Sequence, residues 1–197
     1  MIQWLDTLSR WDGTPPAALT AERLAPEPRR ALLRAMTARS LRLPVERVIV
    51  EHGEGGPPRV AEPMGSGLYL SSASRDGFAA LAVAAAPVGI DVEVADAGGW
   101  IPWNVLHPIE AAAIEPLRGQ EQAMAFARLW SLKEAYLKAR AVGLGRDPSG
   151  FVVQFAADRA VITDPLADAG AAHATTLWRG HPAGWAAVSV VILESRA

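Results

Sequence analysis

Two stretches of this chain, more than a hundred residues apart, read almost alike. Asp76-Gly77-Phe78-Ala79-Ala80-Leu81-Ala82-Val83 is echoed by Ala183-Gly184-Trp185-Ala186-Ala187-Val188-Ser189-Val190. Each follows a strand-like segment and a turn, and each sets an aromatic directly after a glycine. Self-similarity of this kind marks a duplicated unit; the alternative is that two strands of small residues look alike by chance. Duplication predicts an α+β fold of two similar α/β halves in one chain, residues 1–87 and 88–197, joined near Pro87. A chain of 197 residues, half of them hydrophobic, can bury one sizeable core or pack two small halves together.

Local patterning fills in the elements. Ile2–Leu8 reads as a strand and Trp11–Pro28, rich in Pro and Ala, as irregular. Arg29–Leu43 reads as a helix closed by Pro44, with Leu32, Leu33, Met36 and Leu41 near helical spacing. Arg47–Glu51 is strand-like, and the Gly/Pro cluster in His52–Arg59 is a loop. Gly67–Ser71 and Phe78–Ala85 are strands joined tightly around Asp76-Gly77. Val88–Val94 is a strand, Pro108–Leu117 and Glu121–Val142 are helices, and Gly143 and Gly145 end the second of these. Phe151–Phe155, Ala160–Thr163, Ala174–Trp178 and Trp185–Leu193 complete the strands.

The net charge of −2 argues against a strongly cationic nucleic-acid binder. Without cysteine there is no disulfide framework, thiolate metal site or cysteine nucleophile. The start lacks the basic-then-apolar pattern of a signal peptide. No run approaches the roughly 18 apolar residues of a spanning helix. The expectation is a soluble cytoplasmic protein with no membrane partner.

The strand Val88-Gly89-Ile90-Asp91-Val92-Glu93-Val94 carries the first candidate chemistry. Side chains alternate faces along a strand. The valines and Ile90 therefore point into a core, and Gly89, Asp91 and Glu93 point the other way. The two carboxylates stand about 7 Å apart at the backbone, from two residues of rise. Two like charges so placed need a balancing cation, and Mg²⁺ suits one or two carboxylates plus substrate phosphates. An ordinary amphipathic strand with a solvated polar face gives the same pattern.

The second feature is the helix Phe126-Ala127-Arg128-Leu129-Trp130-Ser131-Leu132-Lys133-Glu134-Ala135-Tyr136-Leu137-Lys138. Lys133 falls within the apolar stripe of Phe126, Leu129, Trp130, Tyr136 and Leu137, where an ammonium needs a partner. An anionic ligand would supply one; so would a side chain that snorkels to water. Glu134 and Lys138 also form an ordinary i,i+4 pair.

Taken together, Gly-Ile-Asp-Val-Glu at 89–93 and Trp-Ser-Leu-Lys-Glu-Ala-Tyr-Leu-Lys at 130–138, about forty residues on, resemble the signature of the 4'-phosphopantetheinyl transferases. Every defined position of both motifs matches. Glu110 and Phe126–Leu129 also look like that family. Length favours the larger, Sfp-like type, an intrachain pseudo-dimer of two halves and thus a monomer. The resemblance implies a transferase that moves the phosphopantetheine arm of coenzyme A onto a serine of an apo acyl or peptidyl carrier protein. It implies that Asp91, Glu93 and Glu134 hold Mg²⁺ and that Lys133 and Lys138 hold phosphate oxygens. It also makes Glu134 a candidate base for the serine hydroxyl.

The first half departs from the family pattern. Gly56-Pro57-Pro58 stands where the family often has Gly-Lys-Pro, and Ser72-Ala73-Ser74 where it has Ser-His-Ser. No histidine lies in residues 53–106. Ser72, Ser74, the neighbouring Arg75, and Arg30 on the first helix are the expected contacts to the nucleotide end of coenzyme A. The departures also leave open a catalytically weak homologue that binds coenzyme A or a carrier in an accessory role. His52, His107, His173 and His181 show no close metal spacing such as His-Glu-x-x-His.

Overall fold

The structure, a computed structural model, describes residues 17–23, 26–53, 56–156, 159–167 and 172–194. In chain order the elements of the first half are β1 (Ala17–Arg23), α1 (Pro26–Leu41), β2 (Ile49–His52), β3 (Pro58–Glu62), β4 (Tyr69–Arg75) and β5 (Phe78–Ala84). Those of the second are β6 (Val88–Ala95), α2 (Pro108–Ile114), α3 (Gly119–Ala139), β7 (Val152–Ala156), β8 (Arg159–Thr163), β9 (Ala172–His181) and β10 (Gly184–Leu193). The fold is α+β.

Both echoed segments are the second strand of a hairpin. β4 and β5 close around Asp76-Gly77, both at positive φ (49° and 76°), the turn in which Asp-Gly carries the strand twist. β9 and β10 close around Pro182-Ala183. Each second strand then takes the first strand of its half on its free edge, giving the orders β1-β5-β4 and β6-β10-β9-β8-β7. β2 and β3 form a separate ribbon.

The sheets face each other through small residues. Phe78, Ala80, Ala82 and Ala84 of β5 meet Val88, Ile90 and Val92 of β6 and Ala186, Val188, Val190 and Ile192 of β10. The alanines let the backbones come close, and Ile90 N–H donates to Ser71 Oγ of β4 at 3.0 Å across the join. On the outer face of the first sheet, Leu81, Val83 and Leu70 pack with Leu33 and Met36 of α1. On that of the second, Leu132, Ala135, Tyr136 and Ala139 of α3 pack with Ala174 and Val191. The order through the molecule is helix, sheet, sheet, helix.

Several expectations are corrected. Ala17–Arg23, read as irregular, is a strand because β5 offers it an antiparallel edge, with Ala17 opposite Ala84 and Arg23 opposite Phe78. The first helix begins at Pro26, since prolines in a first turn lose no hydrogen bond. The loop expected over His52–Arg59 is shorter: His52 ends β2 and Pro58 opens β3, where Pro is tolerated as a first strand residue. The strand expected at Ile2–Leu8 lies outside the described residues. Among the described residues no helix is long and apolar enough to cross a membrane.

Candidate active site

The polar face of β6 is covered by α3. Gly89 makes this possible: a Cβ there would collide with the Ala135 carbonyl oxygen and lie 2.5 Å from Ala139 N. The helix therefore crosses the strand at the one position without a side chain. Ser131 Oγ and Ser189 Oγ, 2.6 Å apart, join α3 to β10 at a second point. Asp91 is consequently buried, at 6% exposure, rather than solvated as on an ordinary amphipathic strand.

α3 brings Glu134 and Lys138, one turn apart, over Asp91 and Glu93. The Lys138 ammonium bonds Asp91 Oδ1 at 2.7 Å and the Ile90 carbonyl at 3.3 Å. Asp91 Oδ2 is buried and has no hydrogen-bond partner. Burial pushes the Asp91 carboxyl up, against the opposing pull of Lys138. Glu93 is pushed up to about 7, first by burial and then by the Asp91 charge, with Glu134 adding to it. Glu134 is raised by burial and by Asp91. Each carboxylate of the trio thus feels another, and Lys138 is the cation they share.

Among the described residues no three such side chains are already gathered at metal-holding distance. The donor chemistry nevertheless fits a hard divalent ion: all oxygen, like charges raising one another, and one buried carboxylate oxygen without a donor.

Beside the trio lies a cleft of about 330 Å³. Its walls come from the β2–β3 ribbon (His52, Pro57), from β4 (Ser71, Ser72) and from the end of α3 (Lys138, Ala141–Gly143). Ser72 and Lys138, both expected at the site from the sequence, therefore line one cleft. His52, which the sequence did not single out, faces the same space. Burial and the Arg30 and Arg29 charges hold its imidazole below the usual histidine range. Arg29 Nη1 donates to Ser74 Oγ, 2.5 Å away, which ties α1 to β4. Arg30 is exposed and pairs with Glu27. Arg75 is turned to the trio, its Nε 3.6 Å from Glu93 Oε2, and its charge lowers the pKa of Glu93 and Asp91 against burial.

Lys133 is not at the cleft. It is fully buried, 2.9 Å from Glu110 Oε2. Its remaining bonds go to the Pro148 and Phe151 carbonyls, both at 2.8 Å. The partner that its place in the apolar stripe demands is a carboxylate of this chain, 23 positions away in sequence and so invisible to helical spacing.

No curated protein sequence matches the chain at a significant level. Solved structures that resemble it in part include two synthases. The holo-[acyl-carrier-protein] synthase of Thermotoga maritima is 24% identical, with a TM-score of 0.43 over 56% of this chain. The match spans 64% of that protein's length. The holo-(acyl-carrier-protein) synthase of Bacillus anthracis str. Ames, in complex with CoA (3',5'-ADP), is 18% identical, with a TM-score of 0.45 over 56% of this chain and 97% of its own. Residues 87–188, slightly more than half of the chain and holding β6, α2 and α3 together, match the family model of the 4'-phosphopantetheinyl transferase superfamily, to which this chain belongs.

Proposed function

We propose that the chain transfers the 4'-phosphopantetheine arm of coenzyme A to a serine of an apo acyl or peptidyl carrier protein, releasing 3',5'-ADP. The observation that carries this reading is Lys138, which lines the cleft and bonds Asp91, a carboxylate whose other oxygen is buried without a donor and whose charge reaches Glu93 and Glu134. Asp91, Glu93 and Glu134 would hold Mg²⁺, which supplies charge neutralisation to pyrophosphate oxygens. Lys138 holds a phosphate oxygen from the cleft side. Glu134 accepts the proton of the carrier serine, directly or through a water. The serine oxygen forms a bond to the phosphorus bearing the pantetheine arm, and the bond from that phosphorus to 3',5'-ADP breaks.

At the far end of the cleft, His52 and Ser72, with Arg29 and Arg30 nearby, receive the nucleotide. His52 lines the cleft together with Ser72 and Pro57. The two halves, 1–87 and 88–197, act as an intrachain pseudo-dimer. The shared strand order β1-β5-β4 and β6-β10-β9 supports this, with α1 and α3 on the outer faces. A monomer on a sizing column with light scattering is the expected state.

The test is the intact mass of a panel of apo carrier proteins after incubation with the protein, coenzyme A and Mg²⁺. A gain of one phosphopantetheine arm, lost in Glu134→Ala, supports the transferase. Coenzyme A binding with no gain on any carrier favours the accessory reading.

A further inference from the structure

Lys133 and Lys138 are the only lysines in the chain, five residues apart on one helix. An ammonium has three N–H donors and no acceptor. Those of Lys133 are matched by Glu110 Oε2, the Pro148 carbonyl and the Phe151 carbonyl. The Phe151 ring centroid lies 4.2 Å from Nζ. Glu110 is as completely engaged, since Oε1 accepts from Val153 N–H at 2.7 Å and Oε2 from His107 N–H at 2.8 Å. Nothing in this arrangement is left for a phosphate oxygen.

What the pair does instead is join parts of the site. Glu110 belongs to α2 and Val153 to β7. Pro148 and Phe151 end the segment that begins at the cleft wall Ala141–Gly143. A second set of contacts from the same helix holds that segment too. Tyr136 Oη donates to Asp164 Oδ2, and Arg146 bonds both Asp164 Oδ1 and the Gly150 carbonyl. Successive helix residues are turned by about 100°, so seating Lys133 and Tyr136 toward α2 and β7 turns Glu134 and Lys138 toward β6.

We infer that Lys133, with Glu110 as counter-ion, is a positioning residue. It fixes the rotation of α3 that presents Glu134 and Lys138, and it anchors the segment that walls the cleft. It takes no part in binding phosphate. The inference rests on the transferase reading, and the test reports on the two separately.

Native-state acylation with an amine-reactive acetyl ester, located by peptide mass, reads both lysines in the wild-type protein. Lys138 reacts and is protected by Mg²⁺ with coenzyme A; Lys133 stays unreactive in both conditions. A Lys133 that reacts in the free protein and is protected by coenzyme A overturns the inference. A Lys138 that coenzyme A fails to protect removes the transferase reading and the inference with it. A mutant cycle adds the catalytic readout. Lys133→Met and Glu110→Gln each lower kcat tenfold or more and move KM for coenzyme A less than about threefold. The double variant is no worse than either single one. A tenfold rise in KM for Lys133→Met alone, without Glu110→Gln sharing it, would overturn the inference.

Discussion

The Lys138 ammonium lies 2.7 Å from Asp91 Oδ1, while the other oxygen of that carboxylate is buried with no donor. One side chain is thus half engaged by a lysine and half available to a second cation. If lysine and divalent ion share these carboxylates, Lys138→Met removes a positive charge beside the ion. Mn²⁺, measured by calorimetry or spin resonance without coenzyme A, then binds several-fold tighter. Turnover in the same variant falls by roughly 10²-fold, about 2.7 kcal/mol of barrier. Asp91→Asn loses both ion binding and turnover. Unchanged Mn²⁺ affinity in Lys138→Met would mean that the two cations use different oxygens.

Gly89→Ala tests the crossing of α3 over β6 without touching any charge. The added methyl meets backbone at Ala135 and Ala139, which cannot rotate out of the way. Overpacking of this kind costs about 1–3 kcal/mol. For a chain of this length that lowers Tm by roughly 2–4 °C per kcal/mol. The displaced helix carries Glu134 and Lys138, so turnover should fall further than the lost stability accounts for. A variant as stable and active as wild type would show that the helix has slack at this point.

The hairpins and the long helix were legible because their signals are local. Asp76-Gly77 marks its own turn, and the alternation in Val88–Val94 marks its own strand. β1 and β3 were not, since nothing in Ala17–Arg23 or Pro58–Glu62 announces a strand until a neighbour's edge is present. Lys138 reaches Asp91, while among the described residues the three motif acids are not gathered at metal-holding distance. Lys133 shows the limit of such reading: a lysine in an apolar stripe announces a partner but not which one, and Glu110 reaches it only once α2 docks on α3. His52 was passed over for a similar reason. The cleft it faces is assembled from three segments far apart in sequence.

If coenzyme A enters the cleft, His52 should carry the pH dependence of its binding. Burial, Arg30 and Arg29 hold its pKa below 6.5 in the free protein. A polyanion entering the cleft opposes the two arginines and raises that pKa. Binding therefore takes up protons and strengthens as pH falls from the value in the complex toward the value in the free protein. Calorimetry at pH 6.5 in buffers of different ionisation enthalpy should show net proton uptake, absent in His52→Gln. Equal uptake in the variant would assign the effect to phosphate protonation or to another group.

Asp164 ties the second half together and should shape its acid stability. Burial tends to raise its pKa. Bonds from Arg146, Leu166 N–H and Tyr136 outweigh that and hold it below the usual carboxylate value. A depressed folded-state pKa contributes stability above the unfolded value, near 3.9, and loses it as pH falls through the lower folded value. Urea melts of wild type should therefore lose this increment only below about pH 4. Asp164→Asn lacks it throughout, is less stable by about 1–3 kcal/mol at neutral pH, and has a correspondingly flatter acid limb. The phenol of Tyr136, pushed up to about 12 by burial and by Asp164, gives the mirror case at high pH. Its stabilisation is full below the unfolded value near 10 and is lost as pH rises through the folded one, so Tyr136→Phe flattens the alkaline limb. Acid and alkaline limbs that both survive in the two variants would place the titrating groups elsewhere, and would leave the brace on the Arg146–Phe151 segment to Lys133 and Glu110.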